Sequence, residues 1–372
     1  MRQNENLLAE SIHTIRQLWR HRPGNEVVGN ILDVFDNLNF ITKDDRRPVL
    51  VARRKTGYGY HLIFRLPPGI SYSSVTGKKE YFQDAVNAWI ETGWKKGLLH
   101  MDIQAGELPE RVSYEWDPRD YEKMDIPIPI GVSRKGLVVA DLAKGPHLLV
   151  GGATNYGKSN FIRVLVHSAL NFAQVAVIDF KRLDFSYLKE HCLLIRGESE
   201  ALKLLKRMND ELERRVNILE RAGVVRIQDY KGDDLPFLVL VIDEFAEIQQ
   251  KDTVYYIDRL VRLARAVGIH IVAATQRPSC NVIPGDTRSQ FPMRLCYVVA
   301  DGVDSRMILG EQYSTAAQLP AIQGRALFRQ GIDIQEVQTM HLPKEQAEKM
   351  LPADTRGWNN EPEPERKRLQ PR

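Results

Sequence analysis

Gly152-Ala153-Thr154-Asn155-Tyr156-Gly157-Lys158-Ser159 is the stretch on which the fold turns. It satisfies the spacing G-x-x-x-x-G-K-[ST], follows the apolar run 147–150, and leads into a helix predicted to begin near Lys158, which is the context a phosphate-binding loop requires. Phosphate needs close backbone approach and positive potential, and both exist where glycines let successive N–H groups point inward at a helix N-terminus. On this reading the loop and Asn160 after it cradle the phosphates of ATP, Lys158 reaches the β- and γ-phosphates, and Ser159 ligates Mg²⁺.

The second element is Phe237-Leu238-Val239-Leu240-Val241-Ile242-Asp243-Glu244, an apolar strand ending in two carboxylates. At the carboxyl edge of a central strand, Asp243 is expected to hold Mg²⁺ through water. Glu244 is placed to polarise the attacking water, because γ-phosphate hydrolysis needs a base in line. Gln276, ending the next strand in Ala273-Ala274-Thr275-Gln276, is a candidate γ-phosphate sensor. Arg259, Arg262 and Arg265, spaced by three, share a helix face that is either solvated or turned toward a neighbouring subunit's nucleotide.

Around these motifs, short apolar strands alternate with helices: HLLVGG, a helix after 158, QVAVIDF, a long helix around 200–221, FLVLVID, a helix near 254–266, IHIVAAT and RLCYVVA. That alternation predicts an α/β fold with a mostly parallel, doubly wound sheet. Upstream, Leu8, Ile12, Ile15 and Trp19 mark a helical stripe. VLVARRKTGYGYHLIFRL reads as a hairpin about Thr56-Gly57-Tyr58-Gly59, and residues 78–92, with Tyr81, Phe82, Ala85, Val86, Trp89 and Ile90 on one side, read as a helix. VSYEW is a predicted strand. MDIPIPIGV is a predicted connector, since Pro127 and Pro129 disfavour helix and interior ladder positions. These expectations divide the chain into a small N-terminal α+β domain over 1–125, a nucleotide-binding domain over 126–342 and a polar, disordered tail over 343–372.

At 372 residues the chain exceeds the ~250–300 at which one core stops growing, consistent with two domains. With 43% hydrophobic and 27% charged residues it is not a disordered chain. A net charge of +4 does not announce nucleic acid by itself. Cys192, Cys280 and Cys296 form no CxxC pair, so neither a disulfide framework nor zinc is indicated. The longest apolar run, Phe237–Ile242, is far short of the about 20 residues that cross a bilayer, and MRQNENLLAE lacks the order of a signal peptide. A soluble, cytoplasmic protein is the expectation. His61, His100, His147, His191, His270 and His341 show no ligand spacing and are expected in packing or at the surface.

Three further runs carry a resemblance: Leu263-Ala264-Arg265-Ala266-Val267-Gly268-Ile269-His270, Ala274-Thr275-Gln276-Arg277-Pro278, and Asp304-Ser305-Arg306-Met307-Ile308-Leu309. With the lead-in 139–150, they resemble the FtsK/SpoIIIE family of DNA-pumping ATPases over roughly 126–342. The resemblance implies a RecA-like ATPase that assembles as a hexameric ring of identical copies and moves double-stranded DNA through its centre. It also implies Lys158 and Ser159 as nucleotide ligands, Asp243 and Glu244 as the acidic pair, Gln276 as sensor, and Arg265 as an arginine acting in trans. Arg306 matches a family position without an assigned role.

The chain departs from the family in Asn155-Tyr156, where Gly-Ser is usual. Asn tolerates left-handed backbone, while Tyr156 is expected to set a bulky ring beside the phosphates and to slow turnover. Only 30 residues follow Leu342, too few for the winged-helix module of the cell-division members. A role in conjugation or in plasmid or mobile-element transfer is therefore favoured, with a membrane-embedded or relaxase partner protein. Protein export and replication-helicase functions remain alternatives. Candidate DNA contacts are Lys43, Arg46, Arg47, Arg53, Arg54 and Lys55, a local +4 after Asp44 and Asp45, beside Tyr58 and Tyr60. Pore contacts are expected in 279–290, with Arg288.

Overall fold

The buried strands are apolar on both sides, and that doubled burial fixes a sheet between two helical layers. Along Phe237–Ile242, Leu238, Leu240 and Ile242 enter one core and Val239 and Val241 the other. The computed structural model describes residues 24–104, 106–182, 184–232, 235–276 and 283–351. The predicted helical stripe of Leu8 to Trp19, Cys280 and the tail beyond 351 lie outside the described residues. Two compact units are present, one comprising 24–109 with Val132–Gly136, the other Glu110–Gly131 with 137–351.

In the first unit, helix α1 (Gly24–Asn37) precedes strands β1 (Val49–Thr56) and β2 (Gly59–Arg65), short helices α2 (Tyr72–Thr76) and α3 (Lys79–Val86), and strands β3 (Trp89–Lys95) and β4 (Leu98–Gln104). The antiparallel sheet has the order β1-β2-β4-β3. The expected hairpin forms, with Thr56 opposite Gly59. Tyr60, Leu62, Phe64, Leu99, Met101 and Ile103 point inward onto Phe35 and Phe82, whose ring centroids are 4.9 Å apart.

The helix expected over 78–92 ends instead at Val86. Asn87 adopts φ 48°, ψ 54° and returns its N–H to the Asp84 and Gln83 carbonyls, closing the helix. Trp89 and Ile90 then pair with Gln104 and Ile103 across the β3–β4 ladder. Spacing alone misled because Ile90 is buried in either conformation, and an Asn in left-handed geometry marks the boundary.

The chain continues with β5 (Val112–Ser113), β6 (Pro127–Ser133), β7 (Gly136–Asp141), β8 (Leu148–Gly151), α4 (Lys158–Ala169), β9 (Ala173–Ile178), β10 (Leu193–Ile195) and α5 (Glu198–Ala222). After these come β11 (Phe237–Ile242), α6 (Lys251–Leu263), β12 (Ile269–Thr275), α7 (Gly285–Ser289), β13 (Met293–Tyr297) and α8 (Gly302–Leu309), then β14 (Arg325–Gln330), β15 (Asp333–Gln338), β16 (Met340–His341) and α9 (Lys344–Lys349). Ten strands form one sheet in the order β10-β9-β11-β12-β8-β13-β14-β15-β6-β7. From β10 to β13 the strands are parallel; β13, β14 and β15 are antiparallel. The mostly parallel α/β architecture is the expected one.

Two local expectations are corrected. MDIPIPIGV is not a connector: β6 lies inside the sheet between β15 and β7. Pro127 and Pro129 are one strand period apart at the start of β6, so their missing donors fall on one side. VSYEW contributes only the two residues of β5, because its partner β16 is equally short. Cys192 and Cys296 are buried free thiols. Among the described residues no helix is long and apolar enough to cross a membrane.

His147 and His270 sit in the core at the amino ends of β8 and β12, their ring centroids 6.2 Å apart. Burial pushes each imidazole down to about 3, and neither nitrogen of His270 has a hydrogen-bond partner among the described residues. The unfolded chain binds protons at these histidines from about pH 6.5 downward, so stability is complete above that pH and falls toward pH 3. The slope is roughly 1 kcal/mol per pH unit for each imidazole. Asp243, pushed up to about 6 by burial, opposes this between pH 6 and its unfolded value. Urea midpoints measured from pH 7.5 to 4.5 are expected to fall below pH 6.5, and His270→Phe to flatten the fall; an unchanged slope would contradict the assignment.

Candidate nucleotide site

Strand register brings the site together. Ile242 of β11 lies opposite Ile178 of β9 and Ala273 of β12, and Thr275 of β12 lies opposite Gly151 of β8. Residues just past these pairs therefore converge at one carboxyl edge: Asp179 after β9, Asp243 and Glu244 after β11, Gln276 after β12 and the phosphate loop after β8. A doubly wound sheet binds ligands at this edge.

The loop is built on two glycines that accept no side chain. Gly152 has φ 149°, and a Cβ there would lie 2.5 Å from Tyr297 Cβ. Gly157, at φ 113°, caps α4, and its Cβ would stand 3.1 Å from the Gly324 nitrogen. Asn155 takes φ 69°, as its tolerance of left-handed backbone allowed. Tyr156 departs from expectation: its ring packs against the core cluster of α4 and the sheet and does not line the cavity. Its carbonyl accepts the Gly324 N–H at 2.9 Å. The ring is thus an anchor for the loop and no obstacle beside the phosphates.

A cavity of about 800 Å³ lies over the loop. Ala153, Thr154, Asn155, Lys158, Ser159 and Gln276 are among its walls, and Asn160 also faces it. The Asn160 side chain is committed to structure, donating to the Met340 carbonyl at 2.6 Å and accepting from the Leu342 N–H at 2.9 Å. Thr154 donates to Gln276 Oε1 at 2.9 Å, while the Gln276 N–H is shared between the Glu244 oxygens at 3.0 and 3.2 Å. One chain of hydrogen bonds thus joins loop, sensor position and carboxylate.

Lys158 is buried, with Nζ 3.7 Å from Glu244 Oε2 and no hydrogen-bond partner among the described residues. Burial pushes its amine down to about 8, against the pull of Glu244 and Asp243. Asp243 is raised to about 6, first by burial, with Lys181 and Lys158 opposing and Asp179 reinforcing the rise. Asp243 Oδ1 and Asp179 Oδ2 are buried without hydrogen-bond partners. Ser159, in the first turn of α4, and Asp243 offer hard oxygen donors of the kind Mg²⁺ takes. No group of three or more His, Cys, Asp or Glu among the described residues could hold a metal, so an ion here would complete its shell with phosphate and water.

Arg265 is not brought to this site. It lies just before the amino end of β12, whereas Gln276 follows the carboxyl end, a strand length of about 20 Å away. Arg259 bonds Asn209 and Glu213, and Arg262 pairs with Asp258 at 2.8 Å, while Arg265 is exposed. Arg306 lies in α8. Of the basic DNA candidates, Arg46 pairs with Asp44, Arg47 with Asp36 and Asp45, and Arg53 donates to Asn25. The Arg288 guanidinium contacts Met307 Sδ at 2.6 Å; residues 277–282 lie outside the described residues. His61 pairs with Asp102 and His100 at 2.7 and 3.0 Å. Sequence reasoning missed Lys181, 3.5 Å from Glu244 Oε2. The signal was present in QVAVIDFK, a strand ending in Asp with a lysine two residues on.

Fold and loop together define a RecA-like P-loop ATPase. Residues 111–234 and 228–280 match the model of the FtsK/SpoIIIE family. Over that segment, less than half of the chain, it is similar to the FtsK/SpoIIIE family. The DNA translocase FtsK of Chlorobaculum tepidum is 37% identical over 212 residues, covering 50% of this chain and 26% of that protein. The DNA translocase FtsK of Campylobacter jejuni is 38% identical over 190 residues, 46% of this chain and 20% of that protein. The match therefore spans only 20% to 26% of the length of these relatives. Among solved structures, the pCW3 conjugation coupling protein TcpA, in a monomer form with ATPγS, matches with TM-score 0.61 and 26% identity, over 87% of this chain and 98% of that one. The cytoplasmic domain of the Thermomonospora curvata type VII secretion ATPase EccC shares the fold, with TM-score 0.54 and 23% identity over 65% of this chain and 33% of that one.

Lys158→Ala tests the nucleotide assignment. It takes one of two cations from the buried Glu244 carboxylate, and removing one partner of a buried pair destabilises, so thermal melting should fall while the chain still folds. Nucleotide affinity, read by fluorescence titration, should fall at least ~10-fold, the loss of about one charge-assisted bond. Unchanged affinity would move the site elsewhere.

Proposed function

We propose that this chain hydrolyses ATP with Mg²⁺ to move double-stranded DNA, working as a ring of identical copies in conjugation or mobile-element transfer. The observation that carries the reading is the convergence of the phosphate loop, Asp243, Glu244 and Gln276 at one sheet edge. The FtsK relatives favour DNA as the partner. The likeness to a conjugation coupling protein along nearly its whole length favours transfer over chromosome segregation.

The loop N–H groups and Lys158 bind the phosphates, and Ser159 and Asp243 hold the ion, which when bound draws charge from the β- and γ-oxygens. Glu244 takes the proton of the attacking water. Gln276, bonded to both Glu244 and Thr154, registers whether the terminal phosphate is present. Arg265, exposed and remote from its own loop, serves the nucleotide of a neighbouring copy. The partner proteins at a membrane would be those that pass the DNA onward.

ATPase rate measured with double-stranded DNA, single-stranded DNA and neither, beside the oligomeric mass, tests this reading. Double-stranded DNA should stimulate turnover at low salt, and the stimulation should vanish steeply as salt rises. Indifference to DNA would favour protein export, and preference for single strands a helicase. Glu244→Gln should bind ATP and lower turnover by ~10²-fold or more. Mixing it with inactive Arg265→Ala should restore some hydrolysis at mixed interfaces; no recovery at any ratio would count against action in trans.

A further inference from the structure

Asp243 and Glu244 do not line the cavity; Lys158 and Lys181 do. Glu244 is 5% exposed, and the same oxygen, Oε2, faces both ammonium groups, at 3.7 Å from Lys158 and 3.5 Å from Lys181. The two lysine nitrogens are therefore within about 7 Å of each other, a span that two charge-assisted hydrogen bonds of about 2.8 Å and one phosphate group between them would cover. Their settings differ. The Lys158 side chain is 5% exposed and fixed at the head of α4, whereas the Lys181 side chain is 40% exposed, on the turn after β9.

Both cations flank one oxygen of the base, and its burial keeps bulk water away. Lys158 is already assigned to the β- and γ-phosphates, and the Gln276 N–H already serves both Glu244 oxygens. Lys181 is the cation with freedom to leave: a hydrated ammonium on a flexible stem, paired to Glu244 and facing the cavity.

We propose that Lys181 is a ligand of the γ-phosphate, drawn off Glu244 when a nucleoside triphosphate fills the site and left on Glu244 when a diphosphate does. The proposal rests on the nucleotide reading above and adds the group that tells triphosphate from diphosphate. A lysine that leaves only when the γ-phosphate is present exposes the base only when there is a bond to hydrolyse.

The test is fluorescence titration of the full chain in magnesium buffer with N-methylanthraniloyl-labelled ATPγS and ADP. Lys181→Gln keeps the length of the stem without its charge. It should weaken ATPγS binding by ~10-fold or more while ADP binding stays within about two-fold, since one charge-assisted bond is removed. Lys181→Arg should restore most of the ATPγS affinity. Equal weakening of both nucleotides, or no change in either, would overturn the assignment. Failure of the unsubstituted chain to bind either nucleotide would instead sink the nucleotide site itself, and the Lys181 role with it.

Discussion

Register between parallel strands is the constraint on which the rest of this molecule depends. β8, β9, β11 and β12 carry no catalytic group within their ladders, yet their pairing decides where the residues just past them stand. Slipping β11 by one residue against β9 would exchange its two cores and withdraw Asp243 and Glu244 from the loop together, since side chains alternate with a period of two. Because Leu238, Leu240 and Ile242 face one helical layer and Val239 and Val241 the other, both layers resist that slip. The apolar packing that holds the sheet also holds the chemistry in place.

Local chemistry made the phosphate loop readable. Its glycines, lysine and serine act through backbone geometry confined to eight residues, and Gly152 and Gly157 have the positive φ that pattern requires. Asp243, Glu244 and Gln276 were readable for a related reason, each following a strand buried on both sides and therefore mostly apolar. What was misread depended on distant partners. Pro127 and Pro129 argue against a sheet interior when taken alone, and only the arrival of β15 and β7 on either side makes β6 a strand. Ile90 satisfies a helical stripe and a strand face equally, so the left-handed Asn87 had to decide. Tyr156 looked like a neighbour of the phosphates because sequence adjacency hides direction; its ring turns into the core. Lys181 gained meaning only from Glu244, far along the chain and on another strand.

Unpartnered buried groups are costly, and this chain keeps several. Two sets among them differ in position. His270 lies deep in the core at the amino end of β12, where burial keeps the ring neutral, and it does not line the cavity over the phosphate loop. Lys158, Asp243 and Asp179 sit at the opposite, carboxyl edge, where opposite charges lie close together without completing one another's hydrogen bonds. Replacing them with apolar residues would relieve that strain and stabilise the chain. A site that keeps its charges desolvated and incompletely paired has most to gain from an anion and a cation arriving together. The instability of the empty site is then what gives a phosphate-bearing ligand its hold, and it accounts for Lys158, Asp243 and Asp179 standing unpartnered together at this edge of the sheet.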